Sequence, residues 1–266
     1  AIALVTASFQ TASIIGPALG GLLYTAGPTT VYAAITIMMI SAAILVSFIG
    51  VNLVPSKRDP VSLQSLFAGI AFIRRKPVIL GAVSLDLFAV LLGGATALLP
   101  VYARKILAVG PWGLGILRTA PAVGALLMSV FLARAPLRRR VGRIMFTAVI
   151  IFGLATIMFA VSRSFVLSLI AMTVLGAADV ISVVIRGTLV QLETPDEMRG
   201  RVSAVNSLFV GTSNQLGEFE SGLTASWLGV VPAVLIGGIG TIVVVFIWIG
   251  LFPDLAHADT LKQTGQ

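Results

Sequence analysis

The sequence predicts an all-α protein, a polytopic bundle of transmembrane helices, and three observations carry that expectation. Hydrophobic residues make up 58% of the 266 and charged residues only 11%, with a mean hydropathy of +1.06, far outside the range of a soluble globular domain. The apolar residues fall in runs near or above the roughly 20 residues that a helix needs to cross the hydrocarbon core. Basic residues gather in the short gaps between these runs, where they orient spans, so the net charge of +8 and the pI near 10.8 do not point to nucleic acid.

Taken in order, apolar runs and their breakers predict eight spans, near residues 1 to 24, 30 to 53, 79 to 103, 111 to 133, 144 to 162, 164 to 190, 201 to 227 and 231 to 252. Between the second and third, Leu63, Leu66, Phe67, Ile70 and Ile73 recur at helical spacing between basic clusters. That pattern suits a helix lying in the membrane interface, or else a soluble linker helix. Before the seventh span, Thr194, Pro195 and Glu197 form a Thr-x-x-Glu capping box with proline in the first turn. The sequence opens at Ala1 with no polar leader, and it is expected to begin inside a longer protein.

Alternate loops carry the basic load. One set holds Lys57, Arg58, Arg74, Arg75 and Lys76, then Arg134, Arg138, Arg139, Arg140 and Arg143, then Arg199 and Arg201, with Lys262 in the tail. The opposite set holds only Arg104, Lys105 and Arg163. By the positive-inside rule the heavily basic loops and the C-terminus are cytoplasmic. An internal echo joins "GPALGGLLYTAG" (16–27) to "GEFESGLTASWLG" (217–229): Gly16, Gly21 and Leu22 meet Gly217, Gly222 and Leu223 with one residue inserted near the end. Such repeats mark transporter halves built on one plan.

At these residues the chain resembles the major facilitator superfamily, in its bacterial multidrug and siderophore efflux branch. "ASIIGPALGG" (12–21) is similar to the fifth-helix signature G-x-x-x-G-P-x-x-G-G, carried here by Gly16, Pro17, Gly20 and Gly21 with Ala12 replacing the first glycine. The resemblance implies an antiporter whose fifth helix packs closely against the eighth; generic close packing through small residues is the plainer reading. "APLRRRVGRI" partly matches a second signature, G-x-L-x-D-R-x-G-R-R, at Leu137, Arg140, Gly142 and Arg143, but Arg139 stands where the signature has an acid. A topogenic arginine cluster accounts for that run equally well. The resemblance implies family helices five to twelve: 1–53 as the last two helices of the first half, 54–78 as the linker, 79–252 as the six-helix second half, and 253–266 as a cytoplasmic tail. The partners it implies are the lipid bilayer, a small-molecule substrate, protons and the missing N-terminal helices of the same protein.

Six charges lie inside predicted spans: Asp86, Arg118, Asp179, Arg186, Glu218 and Glu220. Each costs on the order of 2.5 to 3.5 kcal/mol near a span's centre, so they are expected to face a cavity or each other. At about 100° per residue, Glu218 shares a stripe with Ser207, Gly211, Asn214, Ser221, Gly222 and Ala225, which suits a water-filled path, whereas Glu220 points elsewhere and reads as a packing acid between helices. Asp179 shares its stripe with Ser168, Ser182 and Arg186. Depth and sign pair Glu218 with Arg118 and Asp86 with Arg186. Glu218 and Asp179 are thereby expected to be proton-linked or substrate-facing acids, Arg118 the modulating cation, and static ion pairs that fix helix packing are the alternative reading.

No cysteine is present, the one histidine is His257 in the tail, and no G-x-x-x-x-G-K-[ST], H-E-x-x-H or G-x-S-x-G occurs. No cofactor, no metal, no nucleic acid and no enzymatic activity are expected. The function expected is a proton-coupled exporter of small amphipathic molecules across a bacterial inner membrane. A membrane sensor or assembly protein, or a permease subunit served by a separate ATPase, is the alternative.

Overall fold

The computed structural model describes residues 2–48, 63–135, 137 and 139–258. Lys57, Arg58, Arg138, Lys262, the end of the second expected span and most of the linker lie outside them, as do the side chains of Leu63 and Leu66. The described residues form helices α1 (Ile2–Tyr24), α2 (Pro28–Ser47), α3 (Leu63–Arg75) and α4 (Pro77–Leu92), the short α5 (Leu99–Val101), then α6 (Gly110–Arg134) and α7 (Val141–Val161). They continue with α8 (Phe165–Glu193), α9 (Asp196–Leu228), α10 (Val230–Leu251) and α11 (Pro253–Ala256). No strand occurs among the described residues. Six helical stretches are long and apolar enough to cross a membrane, α2, 77–106, α6, α7, α8 and α10, and the chain is a multi-pass membrane protein. Of the two other expected spans, α9 carries Glu218, Glu220, Asn206 and Asn214, which lower its hydropathy.

Proline and glycine set the boundaries. Pro28, Pro77 and Pro111 open α2, α4 and α6 within the first turn, where their missing N–H costs nothing. Gly27 and Gly229, the last residues of the internal echo, are the N-caps of α2 and α10 with nearly one conformation, φ 106, ψ 158 and φ 92, ψ 162. Only glycine reaches that region without a Cβ penalty. After Gly93 the α4 span breaks into a 3₁₀ turn, Gly94–Leu98, passes through α5, and widens into a π turn, Tyr102–Ile106.

Small residues hold the bundle where lipid supplies no drive toward burial. A Cβ on Gly176 would strike the Pro121 carbonyl and one on Gly124 the Thr173 carbonyl, so α6 and α8 cross backbone to backbone. Gly153 and Gly238 do the same for α7 and α10, each Cβ position within 3.0 Å of the other's carbonyl oxygen. Around these crossings the core fills with Tyr102, Phe159, Leu117 and Met172 in one cluster and Leu85, Met145, Phe146 and Val245 in another. Tyr102 stacks on Phe159 and donates to the Ala160 carbonyl at 3.1 Å. The amphipathic α3 lays Gly69, Ile70 and Ile73 against Val202 and Val205 of α9, with Gly69 tight on the Arg201 carbonyl.

The capping box is not formed. Thr194 ends α8 rather than starting α9, its Oγ1 is buried without a hydrogen bond, and Pro195 takes the N-cap position. The first turn of α9 is instead neutralised by Asp196 and Glu197, with Arg199 donating to Asp196 at 2.5 Å. The expected box fails because Pro195 itself is extended, φ −56 and ψ 149, so its carbonyl accepts the first helical bonds and Thr194 is left one residue outside the cap.

Candidate functional site

The buried charges of α4 and α8 meet in the bundle. Asp86 is 4% exposed and Arg186 5%, and the Arg186 guanidinium donates to Asp86 Oδ2 at 2.7 Å. The same nitrogen reaches Asn206 Oδ1 on α9 at 3.4 Å, so three helices converge on one cation. Asp179 and Ser182 precede Arg186 on the same face of α8. With Asp86, Ala89, Val149 and Phe152 they enclose a void of about 10 Å³, close to the size of one water molecule. Ser182 Oγ, in the lining, is buried without a hydrogen-bond partner, as is Arg186 Nε. Desolvated charges are stabilised only by partners of opposite sign: Asp86 has Arg186, while Asp179, half-buried, lines the void beside Asp86 without an ion pair of its own among the described residues.

The other expected site residues lie apart. Glu218 and Asn214 sit on the exposed face of α9, and Asn214 turns its amide back to the Val210 carbonyl at 3.0 Å. Among the described residues Glu218 and Arg118 make no ion pair, so the expected pairing of these two is not formed. Arg118 instead lines a cavity of about 700 Å³ between α6 and α1. Glu220 is half-buried and accepts a hydrogen bond from Thr224 of its own helix at 2.9 Å, so that bond anchors nothing across helices.

The signature glycines fall at a close crossing. A Cβ on Gly21 would lie 2.9 Å from Gly115 Cα, and one on Gly115 would lie 2.6 Å from the Pro17 carbonyl, so α1 and α6 touch backbone to backbone; Gly16 and Gly20 face open space. In the second, loop signature, Arg140 adopts φ 57 as the N-cap of α7, while Arg143 is exposed. Gly142 packs against the Leu255 carbonyl of α11 and donates its N–H to Ala258 at 3.1 Å.

Asn206 is the site residue that the sequence reading missed. The stripe of α9 expected to face a water path holds Glu218 and Asn214 on the exposed face, but Ser221, expected with them, is buried, and it joins Asn206, Ser213 and Gly217 on the face turned inward. The signal was the run of small side chains at Ser213, Gly217 and Ser221, which a close α4 crossing demands: a Cβ on Gly217 would lie 2.8 Å from the Val90 carbonyl.

A family model described as Major Facilitator Superfamily matches residues 1–217. The chain belongs to that superfamily. Curated relatives include the enterobactin exporter EntS of Escherichia coli strain K12 and of strain HS (O9:H4), each 21% identical over 250 residues. The matches cover 92% of this chain and 59% of the relatives, so the chain spans under two thirds of their length. No solved structure matches.

Proposed function

We propose that the intact protein is a proton-coupled secondary exporter of small amphipathic molecules, of the drug or siderophore class, in a bacterial inner membrane. Superfamily membership and the distant likeness to an exporter support transport. The observation that supports proton coupling is the buried Asp86–Arg186 pair with the half-buried Asp179 lining a small void beside Asp86. Two carboxylates beside one guanidinium are neutral when they hold one proton and anionic when they release it. A conformational change that exposes this cluster alternately to either side then moves a proton with each cycle, Asp86 staying paired to Arg186 and Asp179 carrying it. Glu218, on the exposed polar face of α9, is the second proton-linked acid. The small-residue crossing of α1 on α6 lets the helices rock without large side chains to unlock. The basic loops and the C-terminus lie on the cytoplasmic side.

The test uses the full-length protein in liposomes under an imposed pH gradient, with enterobactin and the dye ethidium as separate probes. Asp179→Asn is expected to abolish acceleration by the gradient while exchange of probe across the membrane without a gradient persists. Gradient-driven transport in Asp179→Asn at the parental rate removes Asp179 from the mechanism.

A further inference from the structure

We infer that the cavity between α1 and α6 binds small amphipathic organic anions. Its volume of about 700 Å³ falls within the range of roughly 300–1,000 Å³ usual for drug-sized ligands. Pro17, Val31, Pro100 and Leu114 give it apolar walls, and two guanidinium groups, Arg104 and Arg118, face it; among the described residues no carboxylate lines it. Among the described residues neither arginine is in an ion pair.

Two placements separate this from the ordinary basic fringe of a membrane protein. Arg118 lies roughly 12 Å along α6 from its first residue, inside the helix rather than in the basic loops at its ends, and its exposed side chain opens onto the cavity. Arg104 belongs to the π turn, whose wider winding sends it into this cavity while its neighbour Lys105 lines a different pocket with Ser162 and Arg163. π turns recur where a side chain must be re-aimed at a functional site. Tyr102, at the start of that turn, is locked by Phe159 and the Ala160 carbonyl, so the turn is held rather than frayed. Gly110 and Pro111, at the rim, also bring the positive end of α6 to the cavity. Among the described residues, all the fixed charge that lines it is therefore of one sign. Guanidinium forks suit planar oxyanions, and the walls suit an apolar body attached to one.

This deepens the export reading by naming the charge class of what is carried, and it is tested without any gradient. Full-length protein in phosphatidylcholine nanodiscs is titrated with dansylglycine, an anion, and dansylcadaverine, a cation bearing the same fluorophore. The expected result is saturable dansylglycine binding that weakens by about tenfold in Arg118→Gln and in Arg104→Gln, with dansylcadaverine unaffected. Arg118→Lys is expected to restore part of the affinity, which a merely misfolded variant does not do, and melting temperatures of all variants are taken in parallel. Equal dansylglycine affinity in the parent and the Arg104→Gln, Arg118→Gln double variant overturns the assignment. Displacement of the probe by anionic phosphatidylglycerol in the parent but not in the double variant assigns the cavity to lipid headgroups and overturns it too. Failure of proton coupling in Asp179→Asn leaves this binding untouched, so the two readings stand or fall separately.

Discussion

Removing Arg186 is expected to damage the fold more than removing Asp86, and the double replacement less than Arg186 alone. The structure gives the reason: the guanidinium faces Asp86 at 2.7 Å, both side chains are 6% exposed, and Asp179 shares their void. In Arg186→Met two carboxylates are left in one buried site with no cation, and breaking a buried pair in this way costs about 3–5 kcal/mol. In Asp86→Asn the guanidinium keeps Asp179 nearby and Asn206 at 3.4 Å, so the cost falls to about 1–3 kcal/mol, that of an under-satisfied buried polar group. In the double variant one acid remains beside neutral neighbours, and the cycle is expected to return a coupling energy of about 2 kcal/mol. Reversible unfolding of the full-length protein in mixed detergent micelles, followed by circular dichroism, gives all four free energies. A coupling below about 0.5 kcal/mol, within the scatter expected of independent sites, refutes the reasoning, as does a larger loss in Asp86→Asn than in Arg186→Met.

Three further outcomes follow from single contacts. Gly176→Ala pushes a methyl into the Pro121 carbonyl at the α6–α8 crossing and is expected to cost about 1–3 kcal/mol of stability in the same unfolding assay. Gly142→Ala collides with the Leu255 carbonyl; in a background without other cysteines, Leu255→Cys, fully buried in the parent, is expected to react with a water-soluble maleimide much faster once Gly142 is replaced, and an unchanged rate counts against the α7–α11 contact. Glu218→Gln, exposed and outside any ion pair among the described residues, is expected to shift stability by less than about 0.5 kcal/mol while abolishing proton-driven export in the liposome assay.

Helix number and order were legible because the lipid requirement is written as length and composition, and every breaker that ended a run, Gly27, Pro77, Gly110, Gly229, ends or starts a helix in the structure. The Asp86–Arg186 pair was legible for a related reason: charge is so costly at those depths that sign and distance from the span ends leave few partners. The same logic misplaced Arg118. Depth fixes a coordinate along the membrane normal but not around a helix, and Arg118 and Glu218 share the first while facing different neighbours. Asn206 was lost to the same ambiguity, since α9 carries two small polar stripes and periodicity alone does not say which one α4 covers. Thr194 was lost to a shift of one residue, because proline's fixed φ suits the extended cap position as well as the first helical one and spacing alone does not choose between them.

The internal echo gains its meaning from how differently its two copies are used. Gly27 and Gly229 adopt the same left-handed geometry at the same turn into the next helix, so the α1–α2 and α9–α10 corners are one device used twice. Within that shared backbone, Pro17 in the first copy stands where Glu218 stands in the second. The Pro17 carbonyl is seated at the Gly115 contact with α6, whereas Glu218 projects from the exposed face of α9. Proline at this place leaves the carbonyl one turn before it without its helical donor, and a glycine on the opposing helix lets the two backbones close over the irregularity. A carboxylate there has the opposite requirement, because a crossing that tight would strip it of water. One position of the repeat therefore serves packing in one copy and charge in the other, and exchanging the two side chains should disable both the α1–α6 crossing and proton-driven export.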